Sequence, residues 1–118
     1  MAYRTFEELD VWKTSCQLAV YVYSIMEGTR EFGLKDQMTR AAVSIASNIA
    51  EGAERNTPAD FARFLHIAKG SAAELRTQLY IARRIGMITP AQQRPLTQTL
   101  KRISSQLQRL AMSLKPKT

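Results

Sequence analysis

Apolar side chains recur along this chain at alternating steps of three and four. Leu9, Trp12, Cys16, Ala19, Tyr23 and Met26 make the first run, the spacing of one helical face. Thr5, with Glu8 three residues on, reads as a capping box ahead of it. Gly28 and Gly33 bracket a break. Leu34, Met38, Ala41, Ile45 and Asn48 make a second run that ends near Glu51 and Gly52. Asn56, Thr57 and Pro58 then punctuate the chain: either Asn56 or Thr57 can cap, and Pro58 suits a first helical turn, where a missing N–H costs nothing. The third run is Phe61, Leu65, Ala68, Ala72, Leu75, Leu79 and Ala82, with Gly86 as its stop. Thr89 and Pro90 repeat the cap-then-proline start. The fourth run is the cleanest: Leu96, Leu100, Ile103, Leu107, Leu110 and Leu114, with Pro116 beyond it.

No segment alternates apolar and polar residues over the length of a strand. The pattern therefore predicts an all-α protein, an antiparallel up-down-up-down four-helix bundle forming a single domain over residues 1–118. Steps averaging 3.5 imply slightly supercoiled, left-handed packing. The first helix carries more apolar surface than one stripe needs. Val11, Leu18, Val22 and Ile25 point away from the Leu9–Met26 stripe, as Phe64, Ile67 and Ile81 leave the main stripe of the third helix. Monomers rarely expose contiguous patches of that kind. Val11, Leu18, Val22 and Ile25 are thus expected at a homo-oligomer interface, the competing reading being a wide buried face on a central helix.

Composition narrows the picture. With 118 residues and 45% hydrophobic content the chain can bury one core without staples. Its four prolines are expected at segment edges. A single cysteine, Cys16, excludes an internal disulfide framework and a cysteine-rich zinc site. The N-terminus lacks the apolar run of a signal peptide, and no stretch approaches a membrane span, so a soluble cytoplasmic protein is expected.

Charge is more informative. Residues 1–74 hold eight Lys and Arg against ten Asp and Glu, whereas residues 75–118 hold nine basic side chains and no carboxylate side chain. The formal +7 is thus about −2 in the first part and +9 in the second. Such asymmetry speaks of partners rather than fold, and nucleic acid is the commonest intracellular polyanion. Lys69, Arg76 and Arg83 are seven residues apart and line one flank of the third helix, with Arg84 beside them. Arg94 and Lys101, and Arg102 and Arg109, repeat at seven on the fourth. Antiparallel neighbours join these into one nucleic-acid-binding surface. Tyr80 is the one aromatic residue among them, so phosphate contacts are expected over base stacking.

Residues 37–86 read QMTRAAVSIASNIAEGAERNTPADFARFLHIAKGSAAELRTQLYIARRIG. Gln37, Arg40, Ser44, Asn48, Glu51 and Gly52, followed by Phe61, Phe64, Ala68, Gly70, Ser71, Glu74 and Gln78, resemble the motif of the four-helix-bundle family of the 23S rRNA intervening-sequence protein. The opening Phe6, Leu9, Val11 and Trp12 also fit. The resemblance implies a cytoplasmic bacterial bundle that assembles as a ring, a homopentamer. It extends to the accessory variability determinant of diversity-generating retroelements, similar in fold and strongly basic, a protein associated with nucleic acid and a reverse transcriptase. It implies no enzymatic activity.

Spacing places Gln37, Arg40, Ser44, Asn48 and Glu51 on one seam, and Ser71, Glu74 and Gln78 on another. Small Gly70 and Ser71 would let facing helices approach, and Arg40 would pair with Glu51 or Glu74. The seam is expected to fix helix register, a structural task. A catalytic or metal role finds no support. His66 lacks a second histidine and a Glu-x-x-His pair, neither Ser44 nor Ser71 has triad partners, and the glycines form no phosphate loop. Cys16 is expected to be inert core. The chain is therefore expected to be a non-catalytic binding protein without cofactor or metal. An adaptor docking an acidic protein is the alternative.

Overall fold

The structure, a computed structural model, describes residues 5–115. Pro116, expected to end the fourth helix, and Lys117 of the basic segment lie outside the described residues. A 3₁₀ turn at Phe6–Glu8 leads into four helices: α1 Asp10–Met26, α2 Phe32–Ala53, α3 Pro58–Arg84 and α4 Pro90–Ser113. No strand occurs among the described residues. α3 alone, at 27 residues, spans about 40 Å, yet the molecule measures only 50 × 21 × 20 Å. Connections of four or five residues must therefore fold each helix back antiparallel to the last. Each helix packs beside the next, and α4 returns beside α1, least intimately of the four contacts. The result is the four-helix bundle the periodicity predicts. No helix among the described residues is long and apolar enough to cross a membrane.

Local chemistry sets the ends. The Thr57 hydroxyl accepts from the Asp60 N–H, so Thr57 rather than Asn56 caps α3. Gly86, at φ +79, closes α3: its N–H donates to the Arg83 carbonyl while the Met87 N–H donates to the Ala82 carbonyl. Thr89 and Gln92 form a reciprocal capping box at the start of α4. Thr89→Ala is expected to cost about 1 kcal/mol, visible as a lower midpoint in thermal or urea melts; an unchanged midpoint would mean that the box contributes nothing. Thr5 behaves differently from its expectation. Its side chain makes no cap hydrogen bond, and the chain turns through the 3₁₀ segment before α1 begins. Pro95 also departs from expectation, since it lies inside α4 rather than at an edge. It is exposed one turn past the capping box, where the carbonyl it leaves unbonded, that of exposed Ala91, can meet water.

All seven residues of the α3 stripe are buried, and so are Leu96, Leu100, Ile103 and Leu107 of α4, with Leu110 and Leu114 half-buried at the rim. On α1 the expectation is partly reversed: of the Leu9–Met26 stripe, Ala19 and Met26 are buried in the core. Val11, Leu18 and Val22, expected at an oligomer interface, are no more than 6% exposed and belong to the monomer's core, and Ile25 packs against it. Tyr23, expected inside, is 53% exposed, while Trp12 and Cys16 sit half-buried. The disguise is Ser15. It is fully buried between Val11 and Leu18 because its hydroxyl donates to the Val11 carbonyl at 2.7 Å, which lets a polar residue occupy the inward stripe. Of the residues off the α3 stripe, Phe64 is buried whereas Ile67 and Ile81 are exposed.

Candidate nucleic-acid interface

The basic residues are drawn together by the α3/α4 packing. Two consecutive grooves run between these helices. One, of about 440 Å³, has Ala73, Arg76, Thr77 and Tyr80 on the α3 wall and Gln93, Thr97 and Lys101 on the α4 wall. The next, of about 350 Å³, pairs Lys69 with Ser104, Ser105, Gln108 and Arg109. Antiparallel packing thus matches Arg76 with Lys101 and Lys69 with Arg109. Lys69 is half-buried, and its ammonium donates to Gln108 Oε1 at 2.8 Å across the helices. Arg83 and Arg84 gather on Tyr80, with guanidinium carbons 5.3 and 5.7 Å from the ring centroid. Arg84 Nη1 also donates to the Tyr80 hydroxyl oxygen at 2.8 Å.

Two of the eight expected residues stand apart. Arg102 turns to the opposite flank of α4, donating to Thr99 Oγ1 and lining a cleft between α1 and α4 with Thr14, Gln17 and Tyr21. A step of one residue rotates a helical position by 100°, so Arg102 cannot share the outlook of Lys101. Arg94 is exposed on the second turn of α4 but lines neither α3/α4 groove. The face therefore consists of Lys69, Arg76, Arg83, Arg84, Lys101 and Arg109. None of these six has a carboxylate within ion-pair distance among the described residues. The ion pairs found there lie elsewhere: Arg40–Asp36, Arg55–Glu51 and Arg63–Asp60. Gln93 and Thr97, which sequence reasoning missed, sit one turn apart, and Gln93 Nε2 donates to Thr97 Oγ1 at 2.9 Å. Their i, i+4 spacing is the signal that was available.

The motif residues do not form one seam. Ser44 and Ser71 hydroxyls share a 3.0 Å hydrogen bond between α2 and α3, and Asn48 Nδ2 donates to the Ser44 hydroxyl and carbonyl oxygens. That cluster ties the helices together. Gln37, Arg40, Glu51, Gly70 and Glu74 are exposed instead. Arg40 pairs with Asp36 one turn back, not with Glu51 or Glu74: Glu51 lies about three turns further along α2 and pairs with Arg55, and Glu74 lies on α3. A Cβ at Gly70 would meet open space, so no close approach occurs there. The close contact is at Gly52, which packs beneath Phe64. Gln78 is buried, its Oε1 without a hydrogen-bond partner among the described residues.

His66 is exposed, and no cluster of three His, Cys, Asp or Glu side chains able to hold a metal occurs among the described residues. Cys16 lines an apolar groove between α1 and α2 with Phe6, Trp12, Ala19 and Val43, rather than sitting in the core. Partial burial raises its pKa, so the thiol is favoured over the reactive thiolate.

Fold and face together define a small helical bundle with a separated, unpaired cationic surface. The chain belongs to the 23S rRNA-intervening sequence protein family, whose match covers residues 7–109. A solved structure similar to it is a protein of unknown function from the S23 ribosomal protein family of Bacteroides thetaiotaomicron VPI-5482. It is 27% identical, with a TM-score of 0.81, over 86% of this chain and 97% of that one. No curated protein matches this chain.

Proposed function

We propose that this chain is a non-catalytic nucleic-acid-binding bundle that engages structured RNA or DNA through phosphates, in the cytoplasm. The observation behind this reading is the α3/α4 face, six cations with no carboxylate to neutralise them among the described residues. Such a surface gains most from a ligand carrying charge at regular intervals, because each phosphate neutralised releases a condensed counterion. Along α3, Lys69, Arg76 and Arg83 repeat about every 10 Å, so the charge forms a track rather than a point. The family description names a 23S rRNA sequence and no activity, so the proposal rests on the charge. Self-association belongs to it, with five copies as the number the family resemblance implies. With Val11, Leu18 and Val22 inside, the apolar surface that α1 leaves for that contact is the α1/α2 groove and the exposed Val20, Tyr21 and Tyr23. Repetition of the cationic face around an axis would raise affinity for a long anion by multivalency.

Fluorescence titration of RNA and DNA oligonucleotides over a range of salt tests the reading. Engagement of all six cations gives a log–log salt slope of about −4 to −5. Absence of binding, or binding indifferent to salt, sinks it, and a stoichiometric acidic protein retained in place of nucleic acid establishes the adaptor alternative. Light scattering on the same sample reports the assembly; a mass of 13.3 kDa, that of one chain, removes self-association.

A further inference from the structure

We infer that the α3/α4 groove at Tyr80 seats one nucleotide of an unpaired strand, its phosphate between Arg76 and Lys101 and its base stacked on the Tyr80–arginine platform. This rests on the nucleic-acid reading above and narrows its substrate to the single-stranded segments of structured nucleic acid.

The groove's chemistry is divided. Arg76 and Lys101 approach it from opposite walls and suit a phosphate. The same groove is lined by Ala73, Thr77, Tyr80 and Thr97, and the alanine methyl and the tyrosine ring are apolar surface that a phosphate alone would leave unused. A nucleotide carries both kinds of surface on one unit. The volume of about 440 Å³ falls within the range of small-ligand sites. Gln93 spends one amide hydrogen on Thr97 Oγ1, so its second N–H and its carbonyl oxygen remain for a base edge or a ribose hydroxyl.

Tyr80 decides between strand types. Tyr80 is 47% exposed and is the one aromatic residue lining the two α3/α4 grooves. Arg83 and Arg84 already lie over it, and the Arg84 hydrogen bond to its hydroxyl holds the assembly in place. The platform thus exists before any base arrives, which lowers the cost of ordering it. Bases in a duplex are stacked on one another and cannot use it. A splayed base can, on either the ring or a guanidinium plane.

The test compares a single-stranded RNA of about 12 nucleotides with the same sequence annealed to its complement. Both are titrated by fluorescence anisotropy against wild type, Tyr80→Leu and Tyr80→Phe, with thermal melts confirming that the variants fold. Wild type should prefer the single strand. Tyr80→Leu should weaken single-strand binding roughly 5- to 150-fold while duplex affinity and the salt slope stay unchanged, and Tyr80→Phe, which keeps the ring but loses the Arg84 hydrogen bond, should lose clearly less than Tyr80→Leu. Equal wild-type affinity for the two RNAs, or no loss in Tyr80→Leu, overturns the inference and leaves the phosphate reading standing. Failure of both RNAs to bind overturns the two together.

Discussion

Reversal of Arg76 and Lys101 together to glutamate should weaken nucleic-acid binding roughly a hundredfold near 0.1 M salt and flatten its salt slope by about 1.5 units. The two side chains face the same groove from different helices, so both would contact one stretch of backbone. Each substitution removes a counterion-releasing contact and adds a repulsion. Neither residue belongs to the apolar core or holds an ion pair among the described residues, so the fold should survive, with circular dichroism and melting close to wild type. The control is Lys13→Glu with Arg30→Glu, two exposed sites away from α3 and α4. That pair lowers the formal charge from +7 to +3 just as the groove pair does. Net charge alone would give both variants the same loss. A local phosphate track predicts a much smaller loss for the control, and equal losses would remove the groove as the site.

The largest stability effect should come from Gly52, and its contrast with Gly70 makes it diagnostic. Both are helical, so intrinsic propensity alone would favour a side chain at either by about 0.5–1 kcal/mol. At Gly52 a Cβ would stand 2.6 Å from Phe64 Cβ, 3.0 Å from Phe61 Cδ1 and 3.2 Å from the Phe61 carbonyl oxygen. None of these atoms is the free end of a flexible chain. Phe64 is buried, and the guanidinium groups of Arg55 and Arg63 lie over its ring at 4.7 and 4.6 Å, each also bridged to an acid. The α2/α3 corner can therefore relax only by moving backbone. Gly52→Val should cost about 3 kcal/mol, a fall in melting temperature of roughly 10 °C. Gly70, with open space around its would-be Cβ, should behave oppositely: Gly70→Ala should stabilise by about 0.5–1 kcal/mol. If both substitutions move the midpoint in the same direction by similar amounts, the α2/α3 corner is not packed as described.

How far the pattern could be read depended on whether a helix carries one apolar stripe or two. α3 and α4 each carry one main stripe, and its residues follow from spacing, with Phe64 as the buried apolar residue outside the α3 stripe. α1 carries two, offset around the axis, and both satisfy a helical period. The first looks complete because Cys16 continues it, yet of it only Ala19 and Met26 are buried, while Ser15 interrupts the more deeply buried one. The choice lies with α2 and α4, which pack against Val11, Leu18 and Val22. The same limit applies to the glycines. Gly70 and Gly52 are both small residues on helix faces, and only the position of Phe64 shows which of them fills a contact.

The basic site divides along the same line. Charge segregation and the seven-residue repeat on α3 are properties of the chain, visible without coordinates, as are the helix count, the helix starts at Pro58 and Pro90 and the Gly86 stop. These are local: each depends on residues within a turn or two, where backbone geometry leaves few options. Which cations face one another is not local. That Arg76 meets Lys101, that Arg109 meets Lys69 and that Arg102 turns away depend on the rotation and axial offset of one helix against another. Core packing of residues far apart in the chain sets those two quantities, so they emerged only with the tertiary structure.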